Sequence, residues 1–234
     1  MKLDVRNLNA WYGRAHILGE LVLQAAAGEV VALLGRNGAG KSTTLRSIAG
    51  LVPARSGELV FDGVDISRLP PYRIARLGLG YVPEDRRIFT SLTVAENLRV
   101  GQQPPRGQAT PWSLERLFAL FPNLAEMQRR PAGRISGGEQ QMLTIARTLM
   151  GNPTLIMLDE PSEGLAPKIV EQMAAAILEM RRQDITVLLS EQNLHFARMI
   201  SDRAYIIEKG RIRFNGTMAE LAANDDVRRA YLAV

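Results

Sequence analysis

The nine residues Gly35-Arg36-Asn37-Gly38-Ala39-Gly40-Lys41-Ser42-Thr43 constrain this chain more than any other feature. They fit the pattern glycine, four residues, glycine, lysine, serine in full. The flanks fit as well. Upstream, Val30-Val31-Ala32-Leu33-Leu34 lies between Gly28 and Gly35 and reads as a buried strand. Downstream, Leu45, Ile48 and Ala49 recur at helical spacing, and Gly50 supplies the stop. A turn of this kind points several backbone N–H groups inward as a nest for phosphate oxygens. Side chains at Gly35, Gly38 or Gly40 would crowd that nest. The helix start adds a field that favours negative charge. Lys41 can reach the β- and γ-phosphates, and the Ser42 hydroxyl can bind Mg²⁺. Residues 35–43 are therefore the expected phosphate-binding set. The loop alone does not separate a motor from a kinase. A GTPase usually needs a base-reading Asn-Lys-x-Asp segment, and the chain has none.

Composition narrows the remaining choices. With 234 residues, 46% hydrophobic and 23% charged, the chain is long enough for a sizeable core and is not a disordered polymer. It has no cysteine and only two histidines, His16 and His195. That excludes a disulfide framework, a thiol nucleophile and a multi-histidine metal centre. The net charge of +5 is spread over short pairs such as Arg129-Arg130, Arg181-Arg182 and Arg228-Arg229. These read as solvated surface, and nucleic acid is not an expected partner. Asp4 interrupts the place of a signal peptide, and no apolar run approaches the roughly 18 residues of a membrane span. The expectation is a cytosolic chain, held at a membrane only by a partner.

Further elements follow from spacing. Residues 3–8 alternate loosely and predict an edge strand. Residues 57–61 predict a short strand before a tight turn at Asp62-Gly63, and residues 79–82 another strand ended by Pro83. A helix is expected from Thr93 to about Val100, then a Pro- and Gly-rich loop over 101–111. Leu114, Leu117, Phe118 and Phe121 predict a helix started by Pro111 and stopped at Pro122. Helices over 136–149, 169–180, 194–200 and 227–232, strands over 155–158 and 185–189, and a hairpin around Lys209-Gly210 complete the reading. Strands and helices alternate early and late, while 93–149 is mostly helical. This predicts an α/β core interrupted by a helical insertion.

Two further segments carry chemistry. Leu155-Ile156-Met157-Leu158 delivers Asp159 and Glu160 to the carboxyl edge of the sheet. There Asp159 can hold Mg²⁺ and Glu160 can polarise a water. Ile135-Ser136-Gly137-Gly138-Glu139 opens a helix with a good N-cap, Ser136, and an acid three residues on. It is a second anion-ready helix start. One chain already has one phosphate loop, so a nucleotide sandwiched between two chains is implied.

With these residues in order, the sequence resembles the ATP-binding subunits of ABC transporters, from Leu3 to the C-terminus. Within them it resembles the branched-chain amino acid uptake subgroup, as the second ATPase of a high-affinity system. The signature of the family, Leu-Ser-Gly-Gly-Gln, is met with Ile135 and Glu139 in place of leucine and glutamine. The resemblance implies a P-loop NTPase core of the ABC ATPase type with an antiparallel β subdomain and a helical insertion. The corresponding divisions are 1–92, 93–150 and 151–234. It implies hydrolysis of ATP with Mg²⁺, with Ser136, Gly137 and Gly138 clasping the γ-phosphate held by an opposite subunit. Tyr12 matches the aromatic under adenine, its alternative being a surface aromatic beside Trp11. Glu84 stands where most members carry the Q-loop glutamine, and a carboxylate there can bind Mg²⁺ through water but cannot donate to it. Gln192 stands in place of the switch histidine and Ala166 in place of the D-loop aspartate. Gln192 retains a donor for phosphate but lacks a pKa near neutrality, which leaves Glu160 as the base. His195 lies one turn on and reads as a packed or surface residue. The implied partners are two multispanning permease subunits, a second similar ATPase and, indirectly, a substrate-binding protein. The implied place is the cytoplasmic face of the inner membrane. Ile88, Phe89 and Leu92 are expected to meet a short helix of the permease. The lipopolysaccharide-export cassettes resemble this branch too, but normally keep the Q-loop glutamine and the switch histidine.

Overall fold

A computed structural model describes residues 1–106 and 110–232. The first part holds β1 (Leu3–Tyr12), β2 (Ala15–Ala25), β3 (Val30–Leu34), α1 (Lys41–Ile48), β4 (Arg55–Phe61), β5 (Val64–Asp65), α2 (Pro71–Leu77) and β6 (Leu79–Val82). Helices α3 (Val94–Val100), α4 (Leu114–Leu120), α5 (Pro122–Glu126) and α6 (Gly137–Leu149) follow. Then come β7 (Leu155–Asp159), α7 (Pro167–Arg182), β8 (Thr186–Glu191), α8 (Leu194–Ile200), β9 (Arg203–Glu208), β10 (Arg211–Thr217), α9 (Met218–Ala223) and α10 (Asp225–Tyr231).

Six strands form one sheet in the order β10-β9-β3-β8-β7-β6, with only β10 antiparallel to its neighbour. All five residues of β3 are buried because both sheet faces are covered. Val30, Ala32 and Leu34 point into a core built with α6, α7 and α8. Val31 and Leu33 point into a second core with α1 and the four-stranded antiparallel sheet β2-β1-β4-β5. Each of these valines and leucines contributes about 1.5–3 kcal/mol on burial. The chain is thus an α/β fold with an antiparallel β subdomain and a helical insertion, α3 to α6, between β6 and β7. The carboxyl ends of β3, β7 and β8 lie along one edge, where ligands bind in such sheets.

The first strand departs from expectation. It is not an edge strand: β1 pairs with β2 on one side and β4 on the other. Register shifts between Val5 and Leu8 and between Leu8 and Ala10, with Asn7 at φ +49°, restart its alternation and make it read loosely. Strand β2 and helices α2, α5 and α9 lie outside the expected set. Helix α4 begins at Ser113, whose Oγ accepts the Arg116 N–H at 3.2 Å, and not at Pro111. Pro122 ends it as expected and opens α5. Part of the expected loop, 107–109, lies outside the described residues. Asn152 holds the rest: its Nδ2 donates to the Gln103 carbonyl and its Oδ1 accepts the Trp112 N–H, both at 2.8 Å. Of the three apolar residues expected to meet a permease, only Phe89 is exposed, and Ile88 packs against the core. Among the described residues, no helix is long and apolar enough to cross a membrane.

Candidate nucleotide site

The phosphate loop is seated from below. The β9–β10 turn, with Lys209 and Gly210 at φ +47° and +76°, donates the Gly210 N–H to the Ala39 carbonyl at 2.8 Å. A methyl group at Gly210 would lie 1.9 Å from the Ile17 carbonyl oxygen, so only glycine fits between turn and β2. Gly40, at φ +114°, is the N-cap of α1 and leaves that helix start without a side-chain cap. The loop opens on a cleft of about 460 Å³ lined by Tyr12, Asn37, Lys41, Ser42, Glu84 and Glu160, among others. Gly38, Gly40, Thr43 and Glu163 also line it. Arg36 and Ala39 belong to the loop without lining that cleft.

Lys41 is 3% exposed. Its Nζ donates to the Gly35 carbonyl at 2.8 Å and the Arg36 carbonyl at 3.1 Å, and pairs with Glu160 Oε1 at 3.0 Å. Asp159 is fully buried. Its Oδ1 accepts from Ser42 Oγ at 3.0 Å and Ser190 Oγ at 2.7 Å, and its Oδ2 from the Tyr81 hydroxyl at 3.1 Å. Among the described residues no lysine or arginine forms a salt bridge with it. A buried carboxylate served only by hydroxyls, beside a serine at the phosphate loop, fits a hard divalent cation held by oxygen ligands. Burial and the Asp159 charge push the Tyr81 phenol upward, so it stays a donor.

Glu160 sits at φ +47°, a left-handed conformation for a non-glycine residue. Its N–H is held by the carbonyl and Oγ of Ser190, each at 3.1 Å. Burial raises its pKa, but hydrogen bonds with Glu163, Lys41 and Gln192 outweigh that and hold it below the ordinary value. The hydrogen bond to Glu160, then partial loss of hydration and the charges of Glu160, Glu84 and Glu191, push Glu163 up to about 7. Gln192 Nε2 donates to Glu160 Oε2 at 3.4 Å and to Asn37 Oδ1. Glutamine at this position thus bridges the acid and the phosphate loop.

The cleft therefore brings together Tyr12, Glu84, Glu160 and the phosphate loop, with Asp159 and Gln192 attached to it. It does not include Ser136, Gly137 or Gly138. Ser136 instead caps α6: its N–H donates to Glu139 Oε2 at 2.7 Å, and its Oγ accepts the Glu139 N–H at 3.4 Å. Sequence reasoning missed Ser190 and Tyr81. Both stand near the carboxyl ends of strands flanking β7, Ser190 directly opposite Asp159. Polar residues at those strand ends were the signal. His195 is exposed, and His16 stacks on Trp11 with ring centres 4.8 Å apart.

Comparison with known proteins agrees with this geometry. Residues 18–163 match the sequence family described as ABC transporter. The branched-chain amino acid transport ATP-binding protein BraG of Pseudomonas aeruginosa is 43% identical, over 98% of this chain and 99% of that protein. The lipopolysaccharide export ATP-binding protein LptB of Haemophilus influenzae is 34% identical, over 98% and 96%. The ADP conformation of MJ1267, an ATP-binding cassette of an ABC transporter, superposes with a TM-score of 0.81. It is 26% identical and the match covers 97% of this chain and 96% of that one. A phosphate loop facing an acidic strand end, in a chain so matched along its length, places this protein in the ABC transporter family as one of its ATP-hydrolysing subunits.

Proposed function

We propose that this chain powers import of branched-chain amino acids, as one of two similar ATPases on the cytoplasmic face of the inner membrane. The observation that carries this reading is its likeness to BraG along nearly the whole of both chains. Glu84 and Gln192 support it, since the resemblance to that subgroup includes both. LptB gives the second reading, a role in lipopolysaccharide export, at lower identity. Urea or short-amide import is the nearer rival.

In the proposed reaction the N–H groups of residues 35–43 and the Lys41 ammonium hold the phosphates of ATP. Tyr12 lies under adenine. Ser42 and Asp159, with Glu84 through water, would hold Mg²⁺, which neutralises charge on the phosphates when bound. Glu160, kept anionic, orients a water and takes its proton as the water oxygen bonds to the γ-phosphorus. The bond to the bridging oxygen breaks, releasing ADP and phosphate. Gln192 donates to the γ-phosphate. Ser136, Gly137 and Gly138 of the second ATPase close the site.

A groove of about 560 Å³ is the proposed seat of the permease. It presents Tyr72, Phe89 and Val100 beside Arg76 and Arg147, which suits a helix with apolar and acidic residues. The test is purification of the tagged chain from its native membranes in mild detergent, with mass spectrometry of what accompanies it. Two multispanning subunits and a second ATPase are expected, with ATPase activity stimulated by a binding protein loaded with leucine, isoleucine or valine. Stimulation by a urea- or amide-loaded protein alone, or recovery of lipopolysaccharide-export components, rejects the amino acid reading.

A further inference from the structure

Glu191 ends β8 and is 2% exposed, yet among the described residues no cation pairs with it. It collects backbone N–H groups instead. Its Oε1 accepts from Ser162 at 3.0 Å, and its Oε2 from Gln192 at 3.1 Å and Asn193 at 3.2 Å. Its own carbonyl accepts the Gly35 N–H at 3.3 Å. One residue thus touches the start of the phosphate loop, the loop that follows Glu160, and the segment that carries Gln192.

Burying a carboxylate without a cation is costly, and an apolar residue could close the strand more cheaply. What a carboxylate offers is two oxygens that only accept. A glutamine would turn its NH₂ group toward one of the two sets of N–H donors. Beyond Ser162 the loop is exposed at Glu163, Gly164 and Ala166. Gln192 itself is exposed, so its long side chain stays near Glu160 and Asn37 only if its backbone is fixed.

We propose that Glu191 is a positioning residue for ATP hydrolysis: its carboxylate fastens the Ser162 loop to the backbone of Gln192. A body bearing on residues 163–166 then acts on the Gln192 amide and on Glu160 together. The inference rests on the reading of Gln192 as a donor to the γ-phosphate.

A double-mutant cycle on the full chain in its membrane complex tests it. E191Q is expected to lower kcat about tenfold while KM for ATP changes less than about threefold. In a Q192A background, E191Q is expected to lower kcat by less than about twofold further, because the residue acts through Gln192. Wild-type kcat in E191Q, or losses that multiply independently in the double variant, overturns the proposal. If Q192A alone leaves kcat unchanged, the reading of Gln192 fails and this inference falls with it. E191D keeps the charge and both oxygens but shortens their reach. It serves if E191Q does not fold: the same non-additivity supports the proposal and the same additivity overturns it.

Discussion

Two helices of this chain begin where a phosphate could be met, and their first turns are built in opposite ways. Helix α1 starts at a glycine, carries no side-chain cap and opens on the cleft. Helix α6 starts at Ser136, which is closed by its reciprocal bonds with Glu139. The surroundings differ as well. Around α1 stand Lys41, Ser42, Asp159 at the end of β7 and Glu160 just after it. At α6, the Arg86 guanidinium crowds Gly137 and Ile169 crowds Gly138. An uncapped helix start leaves N–H donors for a ligand. A capped one is content without a ligand, and replacing its cap costs about 1 kcal/mol. In the proposed reaction the first start is a site within one chain. In the same proposal the second serves a nucleotide only when another chain brings one to it.

The largest test of that contrast is Lys41→Ala. It is expected to lower ATP hydrolysis by about a thousandfold and to weaken nucleotide binding by the isolated chain, read by fluorescent-ATP titration. Ser136→Ala should behave differently. Turnover in the assembled complex should fall about tenfold, while binding by the isolated chain stays within about twofold and stability drops by about 1 kcal/mol. Equal loss of binding in both variants would erase the distinction between the two helix starts. The smallest effect isolates the acids on the α1 side. Glu163 is held near 7, well above the ordinary 4.5. A raised carboxyl contributes stability that is full below about pH 4.5 and is lost as pH rises through about 7. Glu163→Gln cannot ionise and escapes that loss. Between pH 5 and 8 the wild type should therefore lose stability relative to E163Q, by less than about 1 kcal/mol because Glu163 is exposed and screened. Denaturant melts at several pH values check this, and parallel curves for the two chains would refute it.

The parts legible in the sequence are those whose chemistry is local. The phosphate loop and the capping box at Ser136 are each written in consecutive residues, and β3 and β7 are continuous apolar runs. Strand β2 was illegible because Gly19 and Glu20 interrupt it, with Glu20 at φ +54°. Helix α2 packs mainly through Ile74, too few apolar positions to show a period. Ser190 and Tyr81 escaped for another reason. Each reaches Asp159 only because the order β8-β7-β6 lays their strand ends side by side, and strand order is a property of the whole chain.

The seating of the phosphate loop also sets an order of events during synthesis. Strand β3 is flanked by β8 and β9, both from the last third of the chain, and the Ala39 carbonyl is met by a turn later still. A ribosome that has just released residues 35–43 has therefore made the motif but not the receptor. The loop gains its full seat only when the β9–β10 hairpin emerges, and a chain abandoned before that point carries residues 35–43 without the strands and turn that hold them in the folded protein.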